Sequence, residues 1–339
     1  MIDLRSDTVT QPTPAMRKAM AEAEVGDDQR EGDPTTRKLE KMAAELLGMD
    51  GALYVPSGTM ANLIALLVHT QERSGMVLES RSHIAVNEAA GVAALTRAKP
   101  YAAAGKYGVM PTTEVETAFD RAAEDRVPVG VLCLENTHNN AGGTVVSDAD
   151  MKRLVGLGRK RNAAVHLDGA RIFNASVALG VPAAKLVEGV DSVMFCISKG
   201  IGAPIGSILC GTSDFIARAK TVRVWCGGAM RQSGVIAAAG IVGLKDYPGR
   251  FASDHTNARR LAEGLAQLPA FQIDMKSVQT NMVYVRVKDS SFDPAGFDHS
   301  CYDRGVWVRS NKERFRFVLH HQVSSADVAR AIAIIKESL

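Results

Sequence analysis

Ala163-Ala164-Val165-His166-Leu167-Asp168-Gly169-Ala170-Arg171 and Val193-Met194-Phe195-Cys196-Ile197-Ser198-Lys199-Gly200 decide how this chain folds. Each opens on an apolar run of the length of a buried strand, Ala163 to Leu167 and Val193 to Ile197. The first run ends on an acid and the second on a lysine. In an α/β sheet both would stand at strand carboxyl ends, where ligands bind. An acid and a lysine so placed point to pyridoxal phosphate. The lysine would hold the cofactor as a Schiff base, and the acid would pair with the pyridinium nitrogen so that the ring can accept electrons.

The same texture extends outward from these two runs. Ala52 to Val55, Gly130 to Leu134 and Ser207 to Cys210 also read as buried strands. Helical patterns at Thr36 to Leu47, Thr59 to Thr70 and Asp148 to Arg161 lie between them. This alternation predicts an α/β fold with a mostly parallel sheet covered on both faces. After Lys245-Asp246-Tyr247-Pro248-Gly249 the pattern changes to a charged helix (Phe251 to Leu268), short strands and a last helix announced by Ser324-Ser325-Ala326-Asp327. The expected division is an N-terminal segment, 1–15, contributing to the active site, a cofactor-binding large domain, 16–248, and a small α+β domain, 249–339.

Composition narrows the class. A net charge of +3, spread along the chain in short clusters, gives no footprint for nucleic acid. The five cysteines show no C-x-x-C spacing, which argues against a disulfide framework or a zinc site, and no metal is expected. No apolar stretch reaches the roughly 20 residues of a membrane helix, and Met1-Ile2-Asp3-Leu4-Arg5 is not a signal peptide. The expectation is a cytoplasmic enzyme acting on a small molecule, with no membrane or nucleic-acid partner.

Other residues gain meaning from the lysine and the acid. Pro56-Ser57-Gly58-Thr59 joins a strand to a helix, so it reads either as a phosphate cup or as an ordinary N-cap. Lys199 lies in a Gly-rich loop, but Gly200 to Gly206 does not match G-x-G-x-x-G, and Pro204 blocks the helix a dinucleotide loop needs. His83 and His138 are candidates for proton transfer near neutral pH. Arg171 and Arg316 suit a bidentate grip on a carboxylate.

Several stretches together resemble the low-specificity L-threonine aldolases, nearly end to end and in order. They are Met1 to Thr10, Val25-Gly26-Asp27-Asp28, Asp33-Pro34-Thr35, Pro56 to Asn62, Leu134 to Asn139, Leu167 to Ala175, Ser198-Lys199-Gly200, Gly228 to Gly234 and Gln279-Thr280-Asn281-Met282. The resemblance implies a fold-type I pyridoxal-phosphate enzyme, a homotetramer built from dimers with active sites at the dimer interface. It implies that Lys199 forms the imine, Asp168 pairs with the ring nitrogen, His83 stacks on the ring, and Gly58 and Thr59 hold phosphate, with Arg171 also at the cofactor. Ser6, Arg171 and Arg316 would hold the substrate carboxylate, and His138 with His83 would face the β-hydroxyl.

The implied reaction is retro-aldol cleavage of an L-β-hydroxy-α-amino acid to glycine and an aldehyde. The alternative is a β-eliminating lyase or dehydratase, in which Cα–H rather than Cα–Cβ stands perpendicular to the ring. The chain departs from the family pattern at Gln29-Arg30-Glu31-Gly32, where Arg30 replaces a tyrosine, at Ala85 and Asn87, which replace aromatics, and at Val224, which replaces a lysine. Arg30, Ala85 and Asn87 are expected to alter which β-substituent is accepted.

Overall fold

The computed structural model describes residues 1–70 and 74–339. The described residues form twelve strands, numbered along the chain. The large sheet takes β2 (Gly51–Val55), β3 (Gly75–Glu79), β4 (Lys99–Ala103), β5 (Val129–Glu135), β6 (Ala164–Asp168), β7 (Ser192–Cys196) and β8 (Ser207–Gly211). Its spatial order is β2-β8-β7-β6-β5-β3-β4. β8 runs antiparallel to both its neighbours, and the other pairs are parallel. The predicted mostly parallel α/β sheet is therefore present.

Helices cover both faces, which is why the central strands are apolar at successive positions rather than at alternate ones. Val193 and Phe195 face one helical layer, while Met194 and Cys196 face the other. Cys133, Cys196 and Cys210 are buried, unpaired members of these strands. Strands β3 and β4 escape the sequence reading. β4 carries a proline and is exposed at three of its five positions, as an edge strand tolerates.

The C-terminal part builds a second core. β9 (Phe271–Gln272), β10 (Met282–Val287) and β12 (Arg314–Val318) form an antiparallel sheet in the order β12-β10-β9. Val283, Val285, Phe315 and Phe317 turn one face of it into a cluster with Leu261, Leu265 and Ile335. β1 (Ile2–Asp3) pairs in parallel with β11 (Val306–Trp307), so Ile2 and Leu4 belong to this core although they begin the chain.

One boundary differs from the sequence reading. A single helix runs Gly234–Leu265, straight through Pro248, where the pattern predicts a break. Proline removes a backbone donor and should weaken that turn. Arg250 Nη2 donates to the Gly243 carbonyl at 3.0 Å, inside the weakened turn. Tyr247 packs against Phe173 and Phe251 at 4.7 and 5.6 Å and holds both sides of the proline in place. The final helix, Ser325–Ser338, starts where expected, with a capping box between Ser324 and Asp327.

Candidate active site

Three adjacent strands of the large sheet end on acids: Glu79 on β3, Glu135 on β5 and Asp168 on β6. Just beyond β7 lies Lys199. Asp168 and Lys199 share a cleft of about 330 Å³ with Ser57, Gly58, Thr59, Asn62, His83 and Glu88. The helix Gly58–His69 points its N-terminus into this cleft. Ser57 caps that helix, its Oγ accepting from the Met60 N–H at 3.2 Å. The cup and the cap are thus one structure: Ser57 satisfies one of the free N–H groups and leaves others for an anion.

Asp168 is buried and held on both oxygens. Asn62 Nδ2 donates to Oδ2 at 2.9 Å, and the Ala170 N–H donates to Oδ1 at 3.0 Å. Behind Asn62, its Oδ1 accepts from His166 Nε2 at 3.0 Å, and His166 Nδ1 meets Ser192 Oγ at 2.8 Å. Burial pushes His166 down to about 3, so its ring is neutral and can serve this chain of bonds.

His83 stands between two spaces. It lines the Asp168 cleft, and with Lys199 it also lines a second pocket of about 390 Å³ formed with Ser6, Asn87, Arg171 and Arg316. Its Nδ1 lies 2.7 Å from Glu88 Oε1. That hydrogen bond, together with Asp168 nearby, holds the imidazole pKa above its ordinary value in spite of burial. Glu88 Oε1 also accepts from Asn62 Nδ2 at 3.1 Å, so one carboxylate orients both the histidine and the amide that holds Asp168.

The second pocket collects the residues expected to grip a carboxylate. Arg171 is buried and forms a two-bond pair with Asp7, Nε to Oδ2 at 2.7 Å and Nη2 to Oδ1 at 2.6 Å. Burial alone raises the Asp7 carboxyl, but the Arg171 guanidinium outweighs it and the group lies well below the usual carboxylate range. Arg316 comes from β12 and donates to Asn139 Oδ1. Ser6 accepts from the Thr8 N–H at 3.2 Å at the start of the short turn Asp7–Val9. Thr10 Oγ1 donates to the Asp7 and Lys199 carbonyls at 3.0 and 3.2 Å, which stitches the N-terminal segment to the lysine.

The structure does not bring every candidate together. His138 lies in neither pocket. It is fully buried: its Nε2 meets Glu79 Oε2 at 2.9 Å, and its Nδ1 accepts from the Ala141 N–H at 3.2 Å. Both ring nitrogens are occupied, and the ring expected to face a β-hydroxyl stands instead between two buried glutamates. Glu135 Oε2 is 3.9 Å away. Arg171, expected at the cofactor as well, lines the substrate-side pocket and not the cleft that holds Asp168. Arg30 lines neither pocket of this chain. It is exposed, 3.8 Å from Asp27. Ala85 packs against the cluster around Ile84, and only Asn87 reaches the pocket rim. Beside exposed Val224, Arg223 is buried, its Nη2 2.8 Å from Asp28 Oδ2.

Asp7, Asn62 and Glu88 are the residues that sequence reasoning missed. Asp7 and Asn62 lie inside quoted motifs, and that membership was their only signal.

The cleft fits pyridoxal phosphate by its donor set. Lys199 offers an amine for its aldehyde, Asp168 a buried carboxylate for its ring nitrogen, and the helix from Gly58 an N-terminus for its phosphate. Fold and cleft together define a pyridoxal-phosphate enzyme of fold type I. Residues 3–288 match the β-eliminating lyase family model. The chain is 41% identical to low-specificity L-threonine aldolase 1 of Arabidopsis thaliana over 344 residues, covering all of this chain and 96% of that one. It is 40% identical to the low specificity L-threonine aldolase of Escherichia coli K12, with 98% of each chain covered. A solved Leishmania major threonine aldolase superposes with a TM-score of 0.84 at 17% identity, covering 99% of each chain. The chain belongs to the low-specificity L-threonine aldolases within the β-eliminating lyase family.

Proposed function

We propose that this protein cleaves L-β-hydroxy-α-amino acids of the threonine, allo-threonine and phenylserine type to glycine and an aldehyde. The observation that carries the reading is the position of His83, shared by the cofactor cleft and the substrate-side pocket with one ring nitrogen held by Glu88. The other nitrogen is then available to a substrate hydroxyl.

Lys199 would hold the cofactor, with Asp168 at its ring nitrogen and Gly58 and Thr59 at its phosphate. Pyridoxal phosphate, when bound, takes up the electron pair left on the α-carbon. The chain's own residues do the rest. Arg171, Arg316 and Ser6 would fix the α-carboxylate, and so decide which bond of the α-carbon is presented for cleavage. His83 Nε2 takes the proton from the β-hydroxyl as the Cα–Cβ bond breaks and the carbonyl of the aldehyde forms. One proton delivered to the α-carbon balances the one His83 took from the hydroxyl, and glycine leaves as Lys199 regains the cofactor.

The same proposal includes a homotetramer built from dimers, in the cytoplasm. Exposed Ile205 at the cleft and exposed Trp225 present apolar surface of the kind a second copy covers. Five unpaired cysteines suit a reducing compartment. Among the described residues no helix is long and apolar enough to cross a membrane.

The test is product analysis with L-threonine and L-phenylserine. Equimolar glycine and aldehyde is the expected result. Ammonia and a 2-oxo acid would overturn the reading in favour of elimination.

A further inference from the structure

β10 and β12 are antiparallel neighbours, with Arg316 opposite Tyr284 and Arg314 opposite Arg286. The two-residue period of a strand places these four side chains on one face. The residues between them, Phe315 and Val285, face the core. The Arg316 end of this row opens on the substrate-side pocket, and Tyr284 lines that pocket too. Beyond Tyr284, which lines both spaces, the same face forms the wall of another cavity, of about 810 Å³.

That cavity is strongly basic. Arg81, Lys106, Arg286 and Arg314 line it against one carboxylate, Asp274, which accepts from Tyr107 Oη at 2.7 Å. Arg314 is fixed in place. Its guanidinium lies 3.9 Å from the Tyr284 ring centroid, and Nη2 donates to the Asn140 carbonyl at 3.0 Å. Burial, with Arg81 and Arg286 nearby, holds this guanidinium below its ordinary pKa in spite of Tyr284. Among the described residues no carboxylate pairs with Arg286 or Arg314, and Arg81 reaches Glu79 only at 3.8 Å. A half-buried guanidinium between two others is unfavourable until an anion joins them.

We propose that this cavity takes a carboxylate or phosphoryl group at the far end of the substrate's side chain, so that the preferred β-hydroxy amino acids carry an anionic β-substituent. The proposal rests on the reading of Arg171 and Arg316 as the α-carboxylate grip. Arg314 stands one strand step of two residues, about 7 Å, beyond Arg316, the reach of a para-substituted aryl group or a short phosphorylated chain.

The experiment compares kcat/KM of the holoenzyme for 4-carboxyphenylserine, 4-phosphonophenylserine and the neutral methyl ester of the first. The wild type is compared with Arg286→Gln and with Arg286→Gln/Arg314→Gln. Arg286 is exposed, so the single variant keeps the fold. The expected result is a tenfold or greater advantage of at least one anionic substrate over the ester. That advantage falls in the single variant and drops to threefold or less in the double variant, with threonine turnover unchanged. The better of the two anions identifies carboxylate or phosphoryl as the group served. Equal kcat/KM for charged and neutral substrates, or an advantage that survives both substitutions, overturns the proposal. Calorimetric binding of the uncleavable 4-carboxyphenylalanine against phenylalanine separates the two readings. Preference in binding without aldehyde formation sinks the reaction and keeps the pocket. No preference in binding sinks the pocket alone.

Discussion

The rim of the large sheet carries two histidines in opposite situations. His83 follows β3, keeps about a third of its side chain exposed, and has one ring nitrogen against Glu88. His138 follows β5, is wholly buried, and spends both nitrogens on Glu79 and the Ala141 N–H. In the fold the two are placed alike, each a histidine a few residues past a strand that ends on an acid. The difference teaches that a strand-end position makes a histidine available for proton transfer only if one nitrogen stays unclaimed. Where a carboxylate takes one nitrogen and a backbone N–H the other, the histidine is a buried link in the fold, and its loss leaves Glu79 and the Ala141 N–H without their partner.

The cleft and the buried cluster can be pulled apart experimentally. The largest effect is expected at Lys199. Lys199→Ala should lower turnover at least a thousandfold. Borohydride reduction of the wild-type holoenzyme followed by peptide mapping should place the cofactor on the peptide that contains Lys199; a label on any other lysine contradicts the assignment.

Asp7 comes next. It lies under Arg171 without lining either pocket, so Asp7→Asn should loosen the guanidinium and raise KM for phenylserine by roughly ten- to a hundredfold, equivalent to one or two charge-assisted contacts. The effect on kcat should be smaller. Equal losses in kcat with KM unchanged would remove Asp7 from substrate positioning.

The smallest expected effect is a shift in pH dependence. The His83 pKa is raised, first by its hydrogen bond to Glu88. A base must be neutral to accept a proton, so kcat/KM should rise with pH through that raised value. Glu88→Gln removes the bond's charge, lowers the His83 pKa, and should move the acid limb of the profile to lower pH. A limb that stays in place would mean that another group sets it.

The sequence exposed the cofactor cleft because its signals are local. Lys199 and Asp168 each end an apolar run, and Gly58 and Thr59 open a helix after one. The groups that orient them were hidden because their partners are distant in the chain. Asp7 meets Arg171 across 164 positions, and Asn62 meets Asp168 across 106. No periodicity reports such a contact. The burial of His138 was hidden for the same reason, since Glu79 lies 59 positions away on a strand the pattern did not reveal. The helix through Pro248 was missed because proline is a strong local breaker, and what offsets it, the Arg250 hydrogen bond to Gly243 and the packing of Phe173 on Tyr247, leaves no pattern in the sequence.

The most direct test of the account sets the two histidines side by side in kcat for L-phenylserine and in thermal stability across pH. His83→Asn is expected to lose a hundredfold or more in kcat with its melting temperature close to wild type. His138→Asn is expected to keep kcat within about tenfold while losing roughly 3 kcal/mol of stability. The sign of its pH dependence follows from the raised His138 pKa, in which Glu135 and Glu79 outweigh burial. Protonation gives up the bond from the Ala141 N–H and gains the attraction of both glutamates; that gain is fully present below the unfolded value near 6.5 and fades as pH rises through the higher folded value, so the gap between wild type and His138→Asn should narrow in alkali. A His138 variant that folds normally but loses catalysis, beside a His83 variant that retains it, would contradict the account.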